Sequence, residues 1–235
     1  MPKGGDMPTL TFLGHDAFLL EHEAHRLIID PFLSGNPQAA LKPGAIKVQY
    51  VLLTHAHGDH FGDAVSIARA NNALIIAPNE LAVYCGNLGL RSHAMHIGGA
   101  FAFPFGRVKL TIAHHGSGLD LGGDALAYMG NPCGFIIALG GKTVYHAGDT
   151  GLFLDMKLIG ELDAIDVALL PIGDNFTMGV RDAVKATEFL KPGLVVPMHY
   201  NTFDLIKADA AAFVEQVQAK GLAARAMQVG ETLTF

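Results

Sequence analysis

The 235-residue chain predicts an α/β fold in which two β-rich sheets are faced by helices. Three observations predict it. Half of the residues are apolar and only 16% are charged, below the roughly 25% of an average soluble chain, so there is ample apolar surface to bury and disorder is not expected. Short apolar runs open the chain with few helices between them; runs then alternate with segments of helical period, and the pattern repeats. That order reads as two sheets rather than one doubly wound sheet. Glycine, at 28 of 235 residues, exceeds the usual ~7% and signals many tight turns. The length predicts one domain spanning residues 1–235.

The elements follow in order. Leu10–Leu13, Ala17–Glu21 and Arg26–Asp30 are short strands separated by Gly14-His15-Asp16 and by residues 22–25, an antiparallel meander. A Gly/Pro-rich loop, Pro31–Gly44, leads to the apolar strand Tyr50–Leu53. A helix is predicted over Gly62–Asn71 from the spacing of Ala64, Ile67, Ala68 and Asn71, then a strand at Leu74–Ala77 and a helix at Glu80–Gly86. Strands are predicted at Phe101–Phe105, Val108–Ala113, Ala125–Met129, Phe135–Leu139 and Thr143–His146. A short helix near Leu152–Ile159, a buried strand at Val167–Leu170, and a helix at Arg181–Leu190 closed by Pro192-Gly193 come next. Leu194–Met198 is a strand, and Leu205–Lys220 a helix with Ile206, Ala210, Phe213, Val214 and Val217 on one stripe, stopped by Gly221. A final pair of strands closes the chain.

Composition excludes several function classes. The 16 basic and 22 acidic residues leave a net charge of −6, and the basic residues are scattered, which argues against a nucleic-acid partner. No apolar run approaches the ~20 residues of a membrane span. Met1–Asp6 has no apolar signal-like region, and Cys85 and Cys133 show no CxxC spacing, so two reduced thiols in a cytoplasmic protein are expected. The oligomeric state stays open, a homo-oligomer included.

The chemistry concentrates at strand ends. In His55-x-His57-x-Asp59-His60 four metal-binding groups lie within six residues, directly after a core strand. His55 and His57 can project to one side of such a turn, and Asp59 and His60 to a second point nearby. Imidazole and carboxylate suit divalent ions such as zinc, and also manganese or iron. A catalytic ion needs further ligands and an open position, and later strand ends offer them in His114-His115, Gly148-Asp149-Thr150 and His199-Tyr200. Each is weak alone, because strand-end histidines and Gly-Asp-Thr turns are common structural features; their joint occurrence carries the reading.

Together, His55-x-His57-x-Asp59-His60, His115, Asp149 and His199 resemble the signature of the metallo-β-lactamase superfamily, and Asp30 in Ile29-Asp30-Pro31 matches its early aspartate. The segments Leu13–His15, Thr54–Phe61, Tyr145–Phe153, Leu170–Gly179 and Pro197–Phe203 extend the likeness to small metal-dependent hydrolases similar to the L-ascorbate-6-phosphate lactonase group. The resemblance implies an αββα four-layer sandwich of two mixed β-sheets flanked by helices. It implies one metal held by His55, His57 and His115, a second by Asp59, His60 and His199, and Asp149 bridging the two. The subgroup's Ala-x-His-Ser pattern becomes Ala113-His114-His115-Gly116-Ser117 here; the Ala113 spacing selects His115, with His114 as the alternative.

Two ions about 3.5–4 Å apart would ionise a bridging water near neutral pH, and the resulting hydroxide would attack a carbonyl or phosphorus. Asp59 could also take the water's proton or orient it. Asp30 would steady the ligand loop by accepting hydrogen bonds, or simply end its strand; His15 would lie near the same rim, or be structural. Asn175, Tyr200 and Asn201 are placed to line a pocket for a small-molecule substrate. His146 reads as a core or supporting histidine, and His22, His25, His93 and His96 as surface residues. The expected activity is metal-dependent hydrolysis of an ester, lactone or phosphoester, with two divalent ions, zinc first, as cofactors. The alternatives are a phosphodiesterase or phospholipase-type enzyme, for which Arg181 is a candidate basic group, and a non-catalytic metal-binding sensor.

Overall fold

In the computed structural model, which describes residues 7–235, alternation along each early strand sorts side chains between two apolar layers. Residues 1–6, where no leader is expected and where the predicted domain begins, lie outside the described residues. The chain opens with β1 (Thr9–Gly14), β2 (Ala17–His22), β3 (His25–Ile29), β4 (Tyr50–Leu52), α1 (Gly58–Phe61), α2 (Ala64–Asn71), β5 (Leu74–Pro78), α3 (Asn79–Asn87) and β6 (Ser92–Met95). Ile28, Val51 and Ile75 join Ala64, Ile67, Leu81 and Cys85 in a cluster beneath α2 and α3. Their neighbours Leu27, Ile29, Leu52 and Ile76 point the other way, into a cluster shared with the second sheet. That is the period-two pattern of strands buried on both faces.

The second half contributes β7 (Ala100–Phe103), β8 (Gly106–Ile112), β9 (Gly118–Leu119), β10 (Ala127–Tyr128), β11 (Cys133–Leu139), β12 (Lys142–His146), α4 (Asp155–Leu162), β13 (Val167–Pro171), α5 (Val180–Leu190), β14 (Leu194–Met198), α6 (Ala210–Gln218) and β15 (Thr232–Thr234). The seven-stranded sheet runs β15-β1-β2-β3-β4-β5-β6 and the six-stranded sheet β14-β13-β12-β11-β8-β7. Both are mixed: β3 to β6 pair in parallel, as do β12 to β14. Helix α5 packs on β13 and against α4 and α6. The result is two mixed sheets, each with helices, as predicted.

Strand direction positions the site. Two antiparallel pairings make β1 run with β3 and β4; two more make β8 run with β12, and β14 follows in parallel. The carboxyl ends of β1, β3, β4, β8, β12 and β14 are therefore where His15, Asp30, His55, His115, Asp149 and His199 emerge. Ligand sites of α/β sheets form at such ends.

Several elements differ from expectation. The helix predicted over Gly62–Asn71 is α1 and α2 with Gly62 between them, at φ +35; a Cβ there would lie 2.6 Å from the Pro31 carbonyl oxygen. The predicted Leu205–Lys220 helix is a single 3-10 turn, Asp204–Ile206, and then α6. Asp209 caps α6 through Ala211 N–H and Ala212 N–H, and the Ala208 N–H goes instead to the Asn201 side chain. The helix predicted near Leu152 begins only at Asp155. The Phe101–Phe105 strand is shifted to Ala100–Phe103. Ala125–Met129 shrinks to β10, paired only with β9, and of the final strand pair only β15 forms, Ala224 making an isolated bridge with Val195. The weakly apolar edge strand β6 has no sequence signal. Among the described residues no helix is long and apolar enough to cross a membrane.

Candidate metal centre

Two hydrogen bonds set the ligand loop at the end of β4. The Thr54 backbone N–H donates to Asp30 Oδ1 at 2.8 Å and its hydroxyl donates to Asp30 Oδ2. The hydroxyl proton being committed, Thr54 Oγ1 accepts from His55 Nδ1–H at 2.9 Å. That network assigns the His55 tautomer and leaves the Nε2 lone pair free. His55 Nε2 lies 3.0 Å from His57 Nδ1, which lies 3.2 Å from His115 Nε2. Three ring nitrogens from the loops after β4 and β8 thus converge, all within 4.8 Å of one another. Burial lowers the pKa of His55, His57 and His115, which favours the neutral rings a divalent ion requires.

A second group lies beside the first. His60, fully buried on α1, donates Nδ1–H to Asp30 Oδ2 at 2.9 Å and turns Nε2 to Asp149 Oδ1 at 3.3 Å. Asp149 Oδ2 is 3.1 Å from His199 Nε2 and 3.3 Å from His115 Nε2. Its carboxylate therefore touches histidines of both groups. Asp59, part-exposed, accepts from His15 Nε2–H at 3.3 Å, while His15 Nδ1 accepts from the Thr202 hydroxyl at 2.9 Å. Asp59, His60, His199 and His15 offer atoms within 4.8 Å of one another.

The electrostatics follow from burial and from the carboxylates. Burial pulls His15 down to about 4, against the pull of Asp59. Burial acts the same way on His199, but Asp149 and Asp16 overcome it and raise that ring to about 9. His60 is likewise raised, burial being outweighed by Asp149 and Asp30. Asp149 is held well below the usual carboxylate range, because His60 and His199 outweigh its desolvation. Burial opposes the ionised form of Asp59 too, yet the hydrogen bond from His15 keeps its carboxyl low.

The donor set fits divalent cations. His60 Nε2, Asp149 Oδ1 and both ring nitrogens of His199 are buried without a hydrogen-bond partner. Orphaned buried polar atoms are costly, and a cation among these atoms would satisfy them.

The remaining candidates separate clearly. His114 is exposed, its ring stacked on Phe153 at 5.0 Å and 18°, and it joins none of the metal-compatible groups. His146 donates Nε2–H to the Asp16 carbonyl and accepts Gly148 N–H at Nδ1, so both nitrogens are used. Asn175 is exposed at the tip of the turn after β13, at φ 50. Tyr200 and Asn201 line a groove with Phe12, Gln38 and Met227, and no hydrogen bond joins either side chain to the cluster. Asn201 instead organises the backbone before α6. Arg181 lies in a different groove, with Lys185, Glu188 and Lys220. His22, His25 and His93, expected at the surface, are half-buried; His25 packs on Tyr50 and Phe105. Sequence reasoning missed Asp16, Thr54, Thr202 and Ser117, whose hydroxyl accepts Ala56 N–H at 3.2 Å. Short polar side chains such as these carry no signal until their partners are known.

Paired mixed sheets with a histidine–aspartate cluster at their carboxyl ends define a metallo-β-lactamase-fold metalloprotein, and residues 25–200 match the family described as the beta-lactamase superfamily domain. Within that superfamily the chain belongs to the UPF0173 metal-dependent hydrolase family. A member from Pelotomaculum thermopropionicum is 55% identical, over 89% of this chain and 92% of the relative. YtkL of Bacillus subtilis is 52% identical, over 95% of this chain and 98% of the relative. Among solved structures, Igni18, described as a novel metallo hydrolase from the archaeon Ignicoccus hospitalis, superposes with a TM-score of 0.89 at 41% identity, covering 97% of this chain and 98% of its own. The chain is thus a metal-dependent hydrolase with buried His/Asp clusters suited to metal.

Proposed function

We propose that this hydrolase is binuclear and cleaves an ester, lactone or phosphoester bond in a small molecule. The observation that carries the reading is the reach of Asp149, whose two oxygens face His60, His115 and His199. His55, His57 and His115 would hold one ion, Asp59, His60 and His199 the other, with Asp149 shared. Zinc suits this imidazole-rich set, with manganese or iron as alternatives. When bound, such ions supply a nucleophile at neutral pH and polarise the oxygen under attack.

The chain's own groups do the rest. Asp59, with 29% of its side chain exposed, is the carboxylate open to solvent, suited to accept the proton released as water attacks. His15, held by Thr202, keeps that carboxylate oriented. Asp30 fixes Thr54 and His60 at once, so the turn arrives preformed. Phe32 and Phe203 pack their rings 5.7 and 5.6 Å from the His15 ring, and Phe203 stays 39% exposed. They form an apolar wall beside His15, which favours an ester or lactone with an apolar portion. Buried free thiols at Cys85 and Cys133 agree with a reducing, cytoplasmic setting.

Metal analysis and a substrate panel test this reading. The purified protein should carry two equivalents of zinc, manganese or iron and turn over p-nitrophenyl esters, lactones or phosphodiesters. Chelation should abolish turnover and added metal restore it. Metal without turnover on any of these classes would defeat the proposed bond types, and a single equivalent would defeat the binuclear assignment.

A further inference from the structure

The turn between β1 and β2 is unusual in what it buries. Hairpin turns normally face water, yet both of its central residues, His15 and Asp16, are completely buried. Gly14 at φ 106 and His15 at φ 58 fold the chain back so that Gly14 pairs with Ala17. The Asp16 carbonyl is tied down by His146 Nε2–H at 3.0 Å. Its carboxylate is left with nothing: neither oxygen has a hydrogen-bond partner.

Every other acid of the cluster has at least one close partner. Asp30 accepts three hydrogen bonds, Asp59 accepts from His15, and Asp149 is flanked by three histidines. Asp16 Oδ2 is 3.9 Å from His60 Nδ1, but that N–H is already given to Asp30 at 2.9 Å. Asp16, His60 and Asp149 nevertheless offer ligand atoms within 4.8 Å of one another, and Asp16, Asp30 and His146 form a further such group. His146 cannot serve there, since both its nitrogens are engaged. A buried, unpaired carboxylate is among the costliest groups a fold can contain. Burial pushes the Asp16 carboxyl well up toward its neutral form, and only a positive charge close by, the raised His199 ring or a bound cation, draws it back to the carboxylate.

We propose that Asp16 is an eighth side chain of the metal centre, a buried carboxylate whose negative charge raises the affinity of the His60–Asp149–His199 side for a divalent cation. This rests on the metal-centre reading above. Asp16 is a positioning and charge-balancing residue: its carboxyl is buried without a hydrogen-bond partner in the metal-free chain and gains a partner when a cation enters. Removing the carboxylate should therefore cost the apo protein nothing and hurt metal binding, a pairing that a purely structural role does not produce.

The test uses the full chain with Asp16→Asn and Asp16→Ser, zinc being titrated against a chromophoric chelator and melting followed with and without zinc. Zinc affinity should fall about 10- to 100-fold in both variants. The apo variants should melt at or above the wild-type temperature, and the rise in Tm on adding zinc should shrink. Unchanged affinity would overturn the assignment. So would apo variants that melt lower or fail to fold, since the carboxylate would then be supporting the fold. A wild type that takes up neither zinc nor manganese would instead overturn the metal-centre reading itself, and this assignment with it.

Discussion

Asp30 accepts the Nδ1–H of His60 at 2.9 Å through the same carboxylate that holds the backbone and hydroxyl of Thr54. One buried acid thus sets both the start of the ligand loop and the ring five residues after His55. Asp30→Asn keeps the shape but replaces an acceptor with a donor facing donors. Metal affinity should fall by about 10–100-fold, as for other partners of metal-binding histidines. Zinc retained after dialysis against a weak chelator measures it, and wild-type retention would contradict the role.

Asp149→Ala removes the group common to both halves of the cluster. Metal content and activity should fall together, with activity reduced beyond the roughly 100-fold upper range for outer partners. Elemental analysis is decisive: two ions still bound per chain would show that Asp149 does not bridge.

His115→Ala and His114→Ala should behave oppositely. The first removes a nitrogen 3.2 Å from His57 and 3.3 Å from Asp149 and should strip metal. The second removes an exposed ring lying on Phe153, and its cost in stability should stay within about 0.5 kcal/mol, with metal content unchanged. The reverse order in a side-by-side metal assay would exchange their assignments.

Burial pushes the Cys85 thiol up to about 12, and Cys133 is raised by burial as well. Neither should be alkylated by iodoacetamide in the native protein at pH 8, and both should react once urea exposes them. The linkage has a definite sign. The unfolded thiol ionises near ~8.5, so above that pH unfolding releases a proton and stability falls as pH rises toward the folded value. The slope of Tm against pH above 9 should be shallower in Cys85→Ala. An equal slope would place the effect elsewhere.

Much of the site was legible because its signal is local. The His55–His60 motif puts four groups on one turn, and the apolar runs before His115, Asp149 and His199 mark those residues as strand ends. The alternation that sorts Leu27 and Ile29 from Ile28 likewise needs no knowledge of distant residues. Helix ends were less legible. α2 begins late because Gly62 passes close to Pro31, and α6 because Asn201 takes the Ala208 N–H; both causes are tertiary.

Residue chemistry and local spacing are enough to say which side chains are able to gather and that they stand on loops after strands, because spacing along a strand or turn dictates direction. The packing of the two sheets turned His115 toward His57 and Asp149 and laid His114 on Phe153, paired His15 with Thr202 across 187 positions, and left the Asp16 carboxylate buried without a donor. Those outcomes depend on how two sheets pack and which polar atoms are sealed from water between them, and no local pattern specifies that.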